Sequence, residues 1–173
     1  MFDEFPMTDL AIENVVPMEY QASGNESPRL CNGTFTDIVN IVSYLRERFG
    51  ERVGSVLDIC HAAMTEKYMN VLLAASDFLP HSHVPQHLDY SMEHYFHINK
   101  EICKLIHFND FTGNGYMQNH GTVFQDQKKV AALVELYKKY HYECPLTLEI
   151  QEKDYRDCVN YRQTKTMLAN CFK

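Results

Sequence analysis

The sequence predicts an α/β protein built from four βα units with parallel strands. Its 173 residues suit one domain that can bury a sizeable apolar core. Four short apolar runs alternate with amphipathic helical patterns, and this alternation is typical of parallel strands joined by right-handed crossovers. Each run ends near a carboxylate or an imidazole, and these side chains follow one another at intervals of 45, 49 and 42 residues: Glu13, Asp58, His107 and Glu149.

Composition narrows the class of protein further. The formal net charge of −7 argues against a nucleic-acid-binding surface, since phosphate contacts need clustered Lys and Arg. No apolar stretch is long enough to span a bilayer, and the acidic first residues lack the basic segment of a signal peptide. The six cysteines are scattered and form no C-x-x-C pair. We therefore expect a cytoplasmic protein with reduced thiols.

The first βα unit follows an N-terminal tail over residues 1–9. A strand is predicted over residues 10–15. Residues 17–33 are rich in Pro, Gly, Ser and Asn, which predicts a long irregular loop. An amphipathic helix with a polar cap is predicted over residues 36–49, and Gly50 is its natural stop.

The second unit combines a strand over residues 53–59 with a helix over residues 64–79, whose apolar side chains form one stripe. An irregular stretch over residues 80–88 then precedes a further helix over residues 89–99. The irregular stretch carries three histidines that resemble a metal-binding tract but fit a solvated loop better: His81, His83 and His87.

The third and fourth units complete the predicted sheet. A strand over residues 104–109 leads, through a Gly-rich turn and a loop that contains His120, to a helix over residues 125–140. A last strand over residues 146–150 is followed by a helix over residues 154–170.

The four polar residues at the strand ends predict a metal site. The carboxyl ends of adjacent parallel strands meet at one rim, so Glu13, Asp58, His107 and Glu149 should converge there. Carboxylate and imidazole ligands together suit Mn²⁺, Co²⁺, Mg²⁺ or Zn²⁺. A single acidic residue would do no more than begin a loop, but four at equivalent positions favour metal binding.

Other polar residues near the rim have two interpretations each. His61 is either a second metal ligand or a hydrogen-bond donor to a substrate, and a plain helix-entry histidine fits equally well. His120 is a candidate additional ligand from a loop that could close over the site, and a plain loop histidine is the other interpretation, which fits slightly better. Asn109 and Asp110 either support His107 or cap the turn that follows the third strand.

Four segments resemble the xylose-isomerase-like TIM barrels, a superfamily of sugar isomerases, sugar epimerases and apurinic endonucleases of the endonuclease IV type. The segments are residues 12–14, 57–62, 106–110 and 146–149. The resemblance runs from about residue 8 to the end and corresponds to the carboxyl-terminal half of such a barrel. It implies that residues 1–173 form a single domain, a half or incomplete TIM barrel.

The resemblance also implies roles for the site residues. In the sugar epimerases, the residues that match Glu13, Asp58, His107 and Glu149 bind one divalent ion. The two glutamates flank the substrate carbon there as acid and base, and the residue that matches His61 touches a substrate oxygen. We therefore expect a divalent-metal-dependent isomerase or epimerase that acts on a sugar or sugar phosphate.

The endonuclease branch implies an alternative function. The D-x-x-H-Ala and His-Phe-Asn-Asp segments are similar to that branch, in which residues matching the four ligands and His120 help to bind a zinc cluster. This chain has Gln118 where that branch has an aspartate. The alternatives are thus a metal-dependent phosphodiesterase or a non-catalytic metal-binding or interaction remnant.

Four βα units cannot close an eight-stranded barrel, and the first and last strands would form open edges. The resemblance therefore implies a homo-oligomer, or a partner chain that completes the barrel.

Overall fold

A four-stranded parallel sheet forms the centre of the fold. The computed structural model describes residues 8–15, 18–20, 26–28, 35–74, 89–111, 120–122, 124, 126–152 and 154–173. In chain order the elements are β1 (Leu10–Glu13), β2 (Met18–Tyr20), β3 (Glu26–Pro28), α1 (Phe35–Phe49), a 3₁₀ turn (Gly50–Arg52), β4 (Val53–Asp58), α2 (Ile59–Ala74), α3 (Met92–Asn99), β5 (Cys103–Phe108), β6 (Asp110–Phe111), β7 (His120–Thr122), α4 (Gln127–Lys139), β8 (Leu146–Leu148) and α5 (Val159–Cys171).

The main sheet has the strand order β1-β4-β5-β8, and every neighbouring pair is parallel. Strands β4 and β5 lie in the middle, whereas β1 and β8 each pair with one strand among the residues that the structure describes. Helices follow the strands along the chain. The predicted α/β class is thereby confirmed, and the arrangement is consistent with a half barrel of βα units.

Two apolar clusters attach the helices to the sheet. In the larger cluster, Leu57 of β4 and Ile106 of β5 pack with residues of α2, α3 and α4. In the smaller one, Val53 of β4 packs with Ile38 and Val42 of α1. Because side chains alternate along a strand, Asp58 must point to the opposite face from Leu57. The side chains of β4 that face the helices therefore form the core, whereas Asp58 points to the other face of the sheet, at its carboxyl-terminal rim.

Local signals explain why the helices begin and end where they do. Helix α1 has Asp37 in its first turn and two arginines in its last turn, which complements the helix dipole. Gly50 follows it with a φ of 65°, a conformation that glycine adopts without strain. Ser91 and Asp126 cap α3 and α4, where each side chain accepts a backbone N–H of the first turn. No helix in the described part of the chain is long and apolar enough to cross a membrane.

Several predicted boundaries differ from those of the structure, and two of the differences have identifiable reasons. Helix α2 begins at Ile59 and not at residue 64, because Asp58 caps it and its Oδ1 accepts the N–H of His61 at 2.7 Å. Helix α5 begins at Val159 and not at residue 154, since residues 155–157 form a separate turn. Strand β8 also ends two residues early, at Leu148.

The predicted irregular loop over residues 17–33 is wrong in part. Within it, β2 and β3 pair as antiparallel strands, and Met18 lies opposite Pro28. A second short pair joins β6 to β7, with the backbone of Phe111 opposite that of His120. The predicted Gly-rich turn and the three histidines of residues 80–88 lie outside the described residues.

Candidate metal centre

The strand ends bring the four predicted ligands together. Glu13 is the last residue of β1 and Asp58 the last of β4, while His107 is the penultimate residue of β5. Glu149 directly follows β8. Among the described residues, two overlapping groups have ligand-type atoms within 4.8 Å of one another: Glu13, Asp58 and His61, and Asp58, His107 and Glu149. These groups could hold a metal ion.

The Nδ1 atom of His107 is the centre of this arrangement. It lies 3.3 Å from Oε2 of Glu149 and 3.5 Å from Oε2 of Glu13. Oδ2 of Asp58 is 3.6 Å away. The nitrogen is buried, and no described group forms a hydrogen bond with it. A buried polar atom without such a bond is costly. One nitrogen facing three carboxylate oxygens is a combination of donors that suits a divalent cation, and Asp58, His107 and Glu149 lie close enough to one another to share one.

Asp58 is held rigidly because its side chain is fully buried. Its Oδ1 accepts the N–H of His61 at 2.7 Å, and its Oδ2 accepts a hydrogen bond from Nδ2 of Asn109 at 3.0 Å. A buried carboxylate without partners would be strongly destabilising. These bonds fix the carboxylate of Asp58 and aim one oxygen towards each histidine, at 3.6 Å from Nδ1 of His61 and 3.6 Å from Nδ1 of His107.

Asn109 links two carboxylates of the centre. Its Nδ2 donates to Oδ2 of Asp58 at 3.0 Å and to Oε2 of Glu149 at 3.2 Å. Its Oδ1 accepts the N–H of Cys60 at 2.9 Å, which fixes the orientation of the amide. Of the two predicted roles, Asn109 takes the supporting one, but it supports the carboxylates and not His107. Such outer partners orient the ligands of metal sites.

Asn14 also shapes the centre, and sequence reasoning assigned it no role. It is buried, and its side-chain amide bonds to both backbone groups of Asp58: Nδ2 donates to the carbonyl at 3.0 Å, and Oδ1 accepts the N–H at 2.8 Å. The amide thereby continues the pairing of β1 with β4 beyond Glu13. The sequence does show a polar residue directly after an apolar strand. It could not indicate which residue Asn14 bonds to, because Asp58 lies 44 positions away.

His61 differs from His107 in what its Nδ1 contacts. Nδ1 of His61 lies 2.8 Å from the carbonyl oxygen of Asn14, which can only accept, so this nitrogen carries the proton. Oε1 of Glu13 is 3.3 Å away. His61 is therefore positioned to orient Glu13, and its Nδ1 would have to give up a good hydrogen bond to bind an ion.

The carboxylates raise the pKa of both imidazoles. For His107, contact with Asp58 is the largest cause, and the charges of Glu13 and Glu149 add to it against the opposing effect of burial. For His61, burial alone would lower the pKa, but the hydrogen-bonding contact with Glu13 and the charge of Asp58 outweigh it. Both shifts express the same property, namely that this rim attracts positive charge.

The two glutamates are the accessible members of the centre. The side chains of Glu13 and Glu149 are 33% and 45% exposed, whereas those of Asp58 and His107 are 0% and 19% exposed. Glu13 ends one edge strand and Glu149 directly follows the other, with Asp58 and His107 on the two strands between them. A small molecule approaching the rim would therefore meet the glutamates first.

Asp110 has a partner outside the centre, and the structure does not describe the side chain of His120. Asp110 forms an ion pair with Lys129 and is engaged in holding α4. His120 opens β7, but its side chain lies outside the described part of the structure. Comparisons of the chain with protein-family models, with curated proteins and with solved structures returned no match.

Proposed function

We propose that the chain binds a divalent metal ion through Glu13, Asp58, His107 and Glu149. The observation that carries this proposal is the buried Nδ1 of His107, which faces three carboxylates and has no hydrogen-bond partner among the described residues. The mixed oxygen and nitrogen donors suit Mn²⁺, Co²⁺, Mg²⁺ or Zn²⁺.

The proposed reaction is proton transfer at the carbon next to a carbonyl, in a sugar or sugar phosphate. A bound divalent ion would supply Lewis-acid polarisation of the substrate oxygens. Glu13 and Glu149 would move the proton, one as base and one as acid, because they are the accessible carboxylates and lie on opposite sides of the centre. This assignment matches the resemblance of the sequence to the sugar isomerases and epimerases.

The other residues of the rim would position these groups. Asn109 holds Glu149 against Asp58, while His61 holds Glu13 and would contact a substrate oxygen. The net charge of −7 and the three carboxylates favour a small polyhydroxylated substrate over a polyanion such as DNA.

The test is exchange of the substrate α-proton with solvent deuterium, measured by NMR over a panel of aldoses and ketoses with Mn²⁺ present. We expect slow exchange that Glu13→Gln and Glu149→Gln each reduce by roughly 100-fold or more. Glu135→Gln is the matched control, since this glutamate of α4 is exposed and forms an ion pair with Lys138. Exchange that persists unchanged in both site variants would refute the proposed roles.

The two alternative functions have their own outcomes. Cleavage of an oligonucleotide with an abasic site, without any sugar exchange, would establish the phosphodiesterase instead. Metal retention with neither activity would identify the chain as a non-catalytic metal-binding module.

A further inference from the structure

Two half-buried thiols lie at the end of the sheet opposite the metal centre. Cys103 is the first residue of β5, and Cys144 lies two residues before β8. Their Sγ atoms are 3.8 Å apart, close enough to share a proton. They are separated by 41 positions in sequence, so no C-x-x-C motif indicated that they form a pair.

The backbone around both cysteines is already held in place. The N–H of Ile106 donates to the carbonyl of Pro145 at 3.1 Å, which joins the two strands beside the thiols. Tyr137 donates its hydroxyl to the carbonyl of Cys144 at 3.0 Å. A disulfide needs a sulfur–sulfur distance of about 2.05 Å. Rotation of the two side chains can close the remaining gap without separating the strands.

We propose that Cys103 and Cys144 form a reversible intramolecular disulfide by exchange with a small disulfide such as oxidised glutathione. The Cys144 thiolate attacks one glutathione sulfur, which forms a mixed disulfide and releases one glutathione thiolate. Cys103 then loses its proton and attacks the Cys144 sulfur, and the second glutathione leaves as a thiolate. In total, two protein thiols and one glutathione disulfide become one protein disulfide and two glutathione thiols.

The surroundings favour this pair over the other described cysteines. The contact between the two thiols lowers the pKa of Cys144 and, together with burial, raises that of Cys103, so we assign the first attack to Cys144. Cys60 is fully buried, and its sulfur contacts Sδ of Met64 at 3.7 Å. The nearest consequence of the bond is mechanical, because it ties the edge strand β8 covalently to the central strand β5.

Peptide mapping of the native full chain tests the proposal. The protein is incubated in glutathione buffers with a rising oxidised fraction, blocked with N-ethylmaleimide and digested with trypsin. We expect a linked pair of peptides, residues 101–104 and residues 140–153, each of which contains one cysteine. The pair should be two hydrogens lighter than the sum of its members. Unlinked, blocked peptides at a ratio that already glutathionylates Cys158 or Cys171 would overturn the proposal.

Two variants test the order of the steps. Cys103→Ser should trap glutathione on Cys144, whereas Cys144→Ser should leave Cys103 largely unmodified. Cys158→Ser is the matched control and should form the linked pair like the unchanged protein. The oxidised protein should melt roughly 5–10 °C above the reduced one, because the bond restricts the unfolded chain. Linkage of Cys144 to any cysteine other than Cys103 would contradict the assignment.

Discussion

Asn14 pairs through its side-chain amide with both backbone groups of Asp58, at 3.0 Å and 2.8 Å. The side-chain amide thus makes the two hydrogen bonds that the backbone of a further β1 residue could make with β4. This contact holds the ends of β1 and β4 together, and with them the carboxylates of Glu13 and Asp58. The rim is therefore built partly by side chains that imitate backbone pairing.

Asn14→Ala should lower the free energy of unfolding by roughly 2–4 kcal/mol, because it removes the two hydrogen bonds that the Asn14 amide makes with the buried backbone of Asp58. Chemical denaturation of the metal-free protein measures this loss. Asn170→Ala, on the exposed side of α5, is the control and should change the free energy of unfolding by no more than about 0.5 kcal/mol. Equal effects of the two substitutions would show that the pairing does not stabilise the fold.

Substitution of the proposed ligands should abolish metal retention. The protein is loaded with Mn²⁺ or Zn²⁺, desalted and analysed for metal, and we expect about one ion per chain. His107→Ala and Glu149→Ala should each lose it. The control is His97→Ala, because His97 lies on the exposed face of α3 and stacks edge-on against Tyr140. Absence of retained metal in the unchanged protein with either ion would end the metal hypothesis.

Asn109→Ala should weaken metal binding without removing a ligand. The change frees Asp58 and Glu149 from their common donor, and loss of such a partner typically costs about 10- to 100-fold in affinity. Isothermal titration calorimetry gives the dissociation constants. An affinity equal to that of the unchanged protein would mean that the ion itself orders both carboxylates.

The raised pKa values of His61 and His107 predict opposite effects of pH on stability and on metal binding. Protonation of these imidazoles stabilises the metal-free fold. That contribution is complete below the ordinary pKa of 6.5 and is lost as the pH rises through the folded-state values. Metal binding should strengthen over the same rise, because the ion competes with the proton for His107.

Thermal melts between about pH 5.5 and 8.5, with EDTA or with Mn²⁺, measure both trends. The melting temperature with EDTA should fall above pH 6.5, while the increase caused by Mn²⁺ should grow. His107→Gln should flatten both slopes, and His97→Ala should leave them unchanged. A stabilisation by Mn²⁺ that is independent of pH would contradict the ligand role of His107.

The open edges predict association. Among the described residues, β1 and β8 each pair on one side, so backbone groups on the other side remain available for another strand. We expect a dimer or larger assembly, or a requirement for a partner chain that completes the barrel. Light scattering over a concentration series measures the mass. A stable, well-folded monomer at about micromolar concentration would count against this expectation.

Local patterns in the sequence were enough to predict the sheet and its polar rim. Alternating apolar runs and helical stripes predicted the parallel strands, and Glu13, Asp58, His107 and Glu149 marked their ends. The start of α2 was predicted wrongly because Asp58 both ends β4 and caps the helix. It caps the helix as well as facing the rim, and helical periodicity detects an apolar stripe but not the first turn.

Long-range constraints account for the rest. Asn109 bonds to side chains 51 and 40 positions away, so nothing in its own neighbourhood indicates which carboxylates it holds. The same is true of Gly54, where a Cβ atom would lie 2.5 Å from the carbonyl oxygen of Ile102 and 2.6 Å from the Lys104 side chain. The sequence shows a glycine within a strand, but only the packed sheet shows that the neighbouring strand region leaves no room for a side chain there.

The burial of the sheet differs between its central and edge strands, and this difference determines the route by which a bound ion would dissociate. All six residues of β4 are buried, whereas β1 is half-buried and β8 is partly exposed. Backbone amides at the two edges should exchange with solvent deuterium through small local openings, while those of β4 wait for global unfolding. Each edge opening would remove one glutamate and leave Asp58 and His107 in place. The dissociation rate of the ion would then follow the fraying of the edges, and an occupied site would slow deuterium uptake in β1 and β8 far more than in β4.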